Sequence, residues 1–280
     1  VHANGPWQIK GVLAARLAGC KVVWHLNDTY EPLPVRLVFA LLAPLAHAFA
    51  PVCERSRQYY LSRPRLAKKT SIIVQAPVDT RVFDPDTVVP ARDVKEQPGP
   101  VVATTANISP VKGILDLVRA VAAFNQLGGK ATFVVAGSFL DSQVEYGQQV
   151  KDLVDELGVA NLEFLGPRQD VVQVLRAADA YVCTSLFEAS PMSVWEAMAM
   201  AKPMVSTDVG DVAPILADGP CGITVPTAKP EAMAEKLHEL LSNPDQAREF
   251  GQRARQKAVD ELDIKACVKN HERLYRAALD

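Results

Sequence analysis

Cysteine is scarce and scattered in this chain. The five residues, Cys20, Cys53, Cys183, Cys221 and Cys267, are odd in number, far apart, and form no C-x-x-C pair. That spacing argues against a disulfide framework and against a cysteine-built zinc site. It reads as a set of reduced thiols in a cytosolic protein, most of them buried as small apolar residues. An excess of basic residues is lacking too. The formal net charge is −2, so nucleic acid is not an expected partner. No apolar run is long enough to cross a bilayer. The most apolar stretch, Leu37 to Ala50, carries Pro44 and His47. It predicts a buried helix, with a surface touching a membrane as the alternative. A G-x-G-x-x-G turn after a first strand is also missing, which excludes a dinucleotide-dependent oxidoreductase. There is no initiator Met and no basic-then-apolar leader. Val1-His2-Ala3-Asn4-Gly5 reads as a strand end entering a loop, and the native chain is expected to extend upstream.

What is present fits a folded globular protein. The chain has 280 residues, 49% hydrophobic and 22% charged, enough for one large domain or two smaller ones with a sizeable core. Short β-branched runs alternate with helical-period stretches. The runs 21–26, 71–74, 101–105, 131–136, 162–165, 180–184 and 203–206 read as strands. Segments 113–127, 143–157, 171–178 and 193–201 read as helices between them. Alternation of this kind predicts an α/β protein with parallel sheets covered on both faces. Residues 84–100 hold four prolines, a glycine and mixed charges, a composition suited to a boundary. The expected division is a partial acceptor-side domain over 1–90, a linker over 91–99, a donor domain over 100–263, and a last helix over 264–280 that packs back on the first domain.

In an open parallel sheet, ligands sit beyond the carboxyl ends of the strands. Two such loops carry chemistry. The first is Phe187-Glu188-Ala189-Ser190-Pro191-Met192-Ser193-Val194-Trp195-Glu196. Ser190 suits an N-cap and Pro191 the first helical position. The backbone N–H groups of Met192 and Ser193 then point out of a helix start, which favours a phosphate. Glu196 falls in the following turns, roughly 7 Å along the axis, about where a nucleotide ribose would lie. One carboxylate accepts two hydroxyl hydrogen bonds and so suits a diol. Glu188 sits on the other side of the same anion cradle. The second loop is Thr104-Thr105-Ala106-Asn107-Ile108-Ser109-Pro110-Val111-Lys112-Gly113. There Lys112 offers a point charge for a diphosphate.

These segments, in this order, resemble the retaining glycosyltransferases of the GT-B architecture, and in particular the family 4-like group 1 transferases. Glu188 and Glu196 match the E-x7-E motif with its internal proline. Asn107 to Gly113 resembles the "GRL…KG" loop, with Lys112 as the phosphate-binding lysine. Gln75-Ala-Pro-Val-Asp-Thr-Arg-Val-Phe-Asp-Pro85 resembles the "NGVD…F.P" segment, and residues 205–210 and 215–219 fit as well. The chain departs from the pattern at Asn107, where arginine is usual, at Ala189, where glycine is usual, and after Gly137, where a second glycine is missing. The family's first strands and glycine-rich acceptor loop have no counterpart.

The resemblance implies two Rossmann-like doubly wound domains, the first incomplete. It implies transfer of a sugar, with retention, from a UDP- or GDP-sugar to a sugar, glycan or lipid-linked acceptor, without an obligatory metal or cofactor. His25, in Val23-Trp24-His25-Leu26, resembles the histidine that faces the donor sugar from the acceptor domain; His2 is a weaker candidate for the same cleft. Lys112, Glu188 and His25 are the implied catalytic set. Asn107, Lys112, Gly113, Gly137, Arg168, Glu188, Ser190, Pro191, Met192, Ser193 and Glu196 are the implied donor-binding set, Arg168 by stacking on the base. Asp84-Pro85-Asp86 mimics a D-x-D metal motif but lies in the proline-rich boundary stretch 84–100, so no metal site is assigned. A non-catalytic nucleotide-sugar binder, and an epimerase or phosphorylase on the same fold, remain the alternatives. The expected location is the cytoplasm, with the inner membrane face as a variant.

Overall fold

The computed structural model describes residues 1–279. The chain divides into two compact units. The first comprises Val1–Pro77, the short segment Glu188–Pro191, and the chain from Glu261 onward. The second comprises Val78–Phe187 and Met192–Asp260.

The first unit opens with β1 (His2–Asn4), α1 (Ile9–Leu17), β2 (Val23–Leu26), α2 (Leu33–Leu42), β3 (Ala48–Pro51), α3 (Glu54–Leu61), α4 (Pro64–Ala67) and β4 (Thr70–Ser71). The four strands form a parallel sheet in the order β1-β2-β3-β4. Trp24, Phe39, Phe49 and Tyr60 fill its core, with Phe39 at the centre of a group of edge-on aromatic contacts to Trp24 and Tyr60. The apolar stretch from Leu37 to Ala50 is not one helix. α2 stops at Leu42, a short 3₁₀ turn follows, and Ala48–Pro51 is a fully buried strand. Pro44 explains the break, since it has no N–H to continue the helical ladder. The helical part is amphipathic rather than buried all round: Val35 and Phe39 face inward, while Leu33, Leu37 and Leu41 are exposed.

The second unit contains α5 (Arg92–Lys95), β5 (Val101–Thr105), α6 (Ile114–Gln126), β6 (Thr132–Ala136), α7 (Val144–Leu157), β7 (Leu162–Gly166), α8 (Val171–Ala177), β8 (Ala180–Cys183), α9 (Met192–Ala199), β9 (Met204–Thr207), α10 (Val212–Ala217), β10 (Ile223–Val225), α11 (Pro230–Ser242) and α12 (Pro244–Lys257). Its six parallel strands run in the order β10-β9-β8-β5-β6-β7. Both faces are covered, so β6 and β8 read as almost wholly apolar runs, while β5 and β9 are apolar until the hydroxyl residues at their carboxyl ends. In α6 the spacing of Ile114, Leu117, Val118, Val121 and Phe124 places one stripe on the sheet. Gly158, with φ of 61°, ends α7 in the left-handed conformation that glycine adopts without strain. Residues 91–99, expected as linker, include α5, whose Val94 is buried in the core with Val174 and Ala177 of α8.

The chain returns to the first unit in α13 (Ile264–Leu279), where Leu274 and Ala278 pack with Val23, Ala48 and Val74. Asp280 lies outside the described residues.

Candidate functional site

The strand order of the second unit fixes where a ligand would bind. From β5 the chain moves one way to β6 and β7, and then the other way to β8, β9 and β10. The order reverses beside β5, so the topological switch point lies between the loops that follow β5 and β8. Both chemistry-bearing loops identified in the sequence leave the sheet there.

Hydrogen bonds stitch these loops together along the carboxyl edge of the sheet. The N–H of Gly137, after β6, donates to the carbonyl of Gly166, at the end of β7, at 2.9 Å. The N–H of Ile108, after β5, donates to the carbonyl of Ser138 at 2.9 Å. The Ser138 N–H in turn donates to Oδ1 of Asn107 at 3.1 Å. On the other side, the Leu186 N–H donates to the Val111 carbonyl at 2.8 Å. The Thr184 hydroxyl donates to the Lys112 carbonyl at 3.0 Å. The Thr207 hydroxyl, at the end of β9, donates to the Ser185 carbonyl at 2.6 Å. Five consecutive strand ends thus share one polar rim.

Two glycines let the loops approach this closely. Gly113 has φ of 63°, and a Cβ there would collide with the Thr184 carbonyl oxygen. A Cβ on Gly137 would collide with the carbonyl of Ala106. Both positions need glycine for space, and Gly113 for its backbone angle as well. Asn107 holds the loop after β6 through its side chain. It is therefore a scaffold for the rim, where an arginine would have been a cation.

Lys112 is partly exposed on the rim, in the 3₁₀ turn Pro110–Lys112 that ends at Gly113. α9 starts at Met192, which is exposed; Ser193 is half-buried. Ser193 hydrogen-bonds the buried Tyr181 hydroxyl, which also pairs with Thr105 Oγ1 at 3.3 Å. This chain of hydroxyls ties the start of α9 to the end of β5. Glu196 lies further along α9, half-buried, and burial raises its carboxyl to a pKa of about 7. Trp195 beside it is fully buried. Arg168 is committed elsewhere. Its guanidinium forms two bonds to Asp170, both at 2.7 Å, and two to Asp93, at 2.6 and 3.3 Å. A base contact would require those pairs to open.

Within the first unit, His25 sits on β2 and is largely buried. Burial and the neighbouring His2 and His271 depress its pKa to about 4, so the ring is neutral at ordinary pH. It lines a cavity of about 290 Å³ together with Asn4, Asn27, Ser190, Cys267 and His271. Ser190, read from the sequence as an N-cap, accepts a hydrogen bond on its hydroxyl oxygen from the Ala76 N–H at 3.1 Å. Glu188 is half-buried and Pro191 buried. His2 lies against His25, with Nε2 of His2 3.2 Å from Nδ1 of His25.

Sequence reasoning missed a cavity of about 630 Å³ at the amino ends of β5, β8 and β9, lined by Pro100, Asp179 and Pro203 with Lys95, Arg176 and Lys202. The Lys202 ammonium donates to the carbonyls of Arg176 and Ala178 at 3.1 and 2.6 Å. Burial lowers its pKa to about 8. This lysine satisfies the carboxyl end of α8.

Comparison with known proteins agrees with this architecture. The chain is 29% identical over 220 residues to alpha-maltose-1-phosphate synthase of Mycolicibacterium smegmatis, covering 73% of this chain and 56% of that protein. It is 34% identical over 177 residues to D-inositol 3-phosphate glycosyltransferase of Mycobacteroides abscessus, covering 60% of this chain and 38% of that protein. The chain therefore spans about half the length, or less, of these curated relatives. Among solved structures, a glycosyltransferase from Rickettsia africae superposes with a TM-score of 0.88 at 18% identity, over 100% of this chain and 76% of that one. Anabaena HepE, solved in complex with UDP, superposes with a TM-score of 0.85 at 20% identity, over 98% of this chain and 77% of that one. The fold is the GT-B architecture, with two Rossmann-like parallel sheets. The family model for glycosyl transferases group 1 matches residues 90–257, well over half of the sequence, and the chain belongs to that family.

Proposed function

We propose that this chain provides the donor-binding machinery of a retaining glycosyltransferase, which moves a sugar from a UDP- or GDP-sugar to a sugar, glycan or lipid-linked acceptor. The observation that carries the reading is the hydrogen-bonded rim at the switch point, which fixes the Lys112 turn against the strand end that leads toward α9. Lys112 meets the diphosphate as a point charge. The first N–H groups of α9, at Met192 and Ser193, meet it as oriented dipoles. Both place positive potential where negative charge develops as the nucleoside diphosphate departs, without a metal. Glu196 accepts hydrogen bonds from the ribose diol. Gly113 and Gly137 keep the phosphate side open to backbone approach. Asn107 supports the loop. Glu188 and His25 take the roles the resemblance implies, contact with the donor sugar, His25 as a neutral ring that orients hydroxyls. Ser190 and Pro191 set the backbone entering α9. Arg168 is left out of the base contact, since its carboxylate partners occupy it.

Relatives support the donor class: HepE has been solved with UDP and with UDP-glucose, and the curated relatives are a sugar-phosphate synthase and a glycosyltransferase. We assign the enzyme to the cytoplasm. The exposed Leu33, Leu37 and Leu41 of α2 are the surface on which it would meet a lipid-linked acceptor at a membrane face. Among the described residues no helix is long and apolar enough to cross one.

Melting the whole chain in UDP, GDP and their sugar conjugates tests the reading. One base should stabilise it, by about 2.7 kcal/mol at a hundredfold excess over its dissociation constant. NMR of the transferred product should show the donor's anomeric configuration retained. Failure of every nucleoside diphosphate to stabilise the chain would overturn the proposal. Inversion would overturn the stereochemical part, and an epimerised or phosphorolysed product would move the chain to another reaction class.

A further inference from the structure

Three histidines from distant parts of the sequence converge in the first unit. His2 is on β1, His25 on β2 and His271 on α13. Each offers a ring nitrogen within 4.8 Å of those of the other two. Their ring centroids lie 5.3, 5.6 and 5.9 Å apart. We propose that these residues form a binding site for a borderline divalent transition metal ion, zinc in the first place, with three imidazole ligands and one position open.

Four observations carry this. First, the 3.2 Å between His2 Nε2 and His25 Nδ1 is close to the roughly 3.3 Å that separates two ligand nitrogens in a tetrahedral site with Zn–N of about 2.0–2.1 Å. Second, outer partners are in place. His2 Nδ1 pairs with the Tyr275 hydroxyl at 2.7 Å, and His271 Nδ1 with the Cys267 carbonyl at 3.1 Å. Metal-bound histidines use such partners to fix the tautomer and aim the other nitrogen at the ion, which here is Nε2 of both rings. Third, His25 Nε2 is buried with no hydrogen-bond partner. No protein group on Nε2 fixes the tautomer of this ring, so the proton can reside there while Nδ1, the nitrogen that faces His2, is left as a lone-pair donor for the ion. Fourth, the supports are rigid. β1 and β2 are paired in register, Asn4 opposite His25, and α13 is anchored by Leu274 and Ala278.

The inference stands on the first unit alone. It has one consequence for the function proposed above: an ion that engages His25 withholds it from the sugar, so zinc would act as an inhibitor rather than a cofactor.

The test uses tag-free, chelator-treated whole chain titrated with zinc by calorimetry and with cobalt by visible absorption. One ion per chain is expected, with a micromolar or tighter dissociation constant and the intense d–d bands of a four- or five-coordinate cobalt site. His2→Ala and His271→Gln should each weaken binding at least tenfold. Tyr275→Phe should weaken it less. Cys267→Ser should change it by less than twofold, because the carbonyl, the closer of the two Cys267 partners of His271 Nδ1 at 3.1 against 3.5 Å for Sγ, is kept. Circular dichroism separates loss of the site from loss of fold, and His271→Gln keeps helix α13 intact if His2→Ala does not fold. Absence of saturable uptake, octahedral weak-band cobalt spectra, or equal affinity in the His2→Ala/His271→Gln double variant would overturn the proposal.

Discussion

Replacing Glu196 by glutamine separates the cost of this carboxylate from its use. Burial raises its pKa from 4.5 to about 7. At about 1.4 kcal/mol per tenfold change in proton affinity, keeping it ionised above pH 7 costs the ligand-free fold at most about 3 kcal/mol. The sign follows from proton counts. Between pH 4.5 and 7 the folded protein holds a proton that the unfolded chain has released, so stability falls as pH rises through that window and then levels off. Glutamine does not titrate. Glu196→Gln should therefore match the parent near pH 4.5 and exceed it above pH 7. For a domain of this size, 1 kcal/mol shifts the melting temperature by roughly 2–4 °C, so a gain of at most roughly 6–12 °C is expected at pH 8. The same change exchanges a charge-assisted acceptor for a neutral amide, and UDP or GDP affinity should drop by about 1 kcal/mol, roughly fivefold. Paired melting curves at pH 5 and pH 8, with calorimetric titration of the nucleotide, read both effects. A variant no more stable than the parent at pH 8, or equally shifted at both pH values, would refute the reasoning.

Other substitutions probe the remaining parts. Lys112→Ala should lose about 1.5–3 kcal/mol of diphosphate interaction, read as a ten- to hundredfold fall in kcat/KM with the fold intact. Gly137→Ala forces its Cβ into the Ala106 carbonyl and should destabilise the second unit by at least about 1–3 kcal/mol, visible as an earlier melting transition. His25 has a pKa depressed to about 4, so the unfolded chain binds the extra proton. Stability from this group is complete above its unfolded value of 6.5 and is lost as pH falls toward 4. His25→Gln should accordingly flatten the acid side of the stability profile of the first unit. Activity should show no step from His25 between pH 6 and 8.

Much of the architecture was legible because parallel strands covered on both faces leave β-branched runs with no polar alternation, as in Val101–Thr105 and Thr132–Ala136. Glycines at sharp loops were also readable, since Gly113 and Gly137 stand directly after strands or before helices. The Leu37–Ala50 stretch was misread because composition alone does not separate a buried helix from a buried strand. Pro44 was the available signal, and it marks the point where one ends before the other begins. The partners of Arg168 show a different limit. Asp170 is two residues away and visible as a neighbour, whereas Asp93 sits in a segment whose prolines suggested a linker. Every bond of the rim has a backbone group on at least one side, and backbone groups carry no residue-specific trace, so the side chains of Asn107, Thr184 and Thr207 gave no sign of their partners. The proton affinity of Glu196 depends on how deeply α9 is buried. The three histidines, at positions 2, 25 and 271, match no spacing motif and meet only through the pairing of β1 with β2 and the return of α13.

The central claim is that a nucleoside diphosphate is held at the switch point by the Lys112 turn and the start of α9. Hydrogen-exchange mass spectrometry of the whole chain, with and without saturating UDP or GDP, reports on it directly. Protection concentrated in residues 105–113, 137–140 and 192–196 is the predicted result. Protection confined to the opposite end of the sheet, around Lys95, Arg176 and Lys202, or none in the loops after β5 and β8, would contradict it.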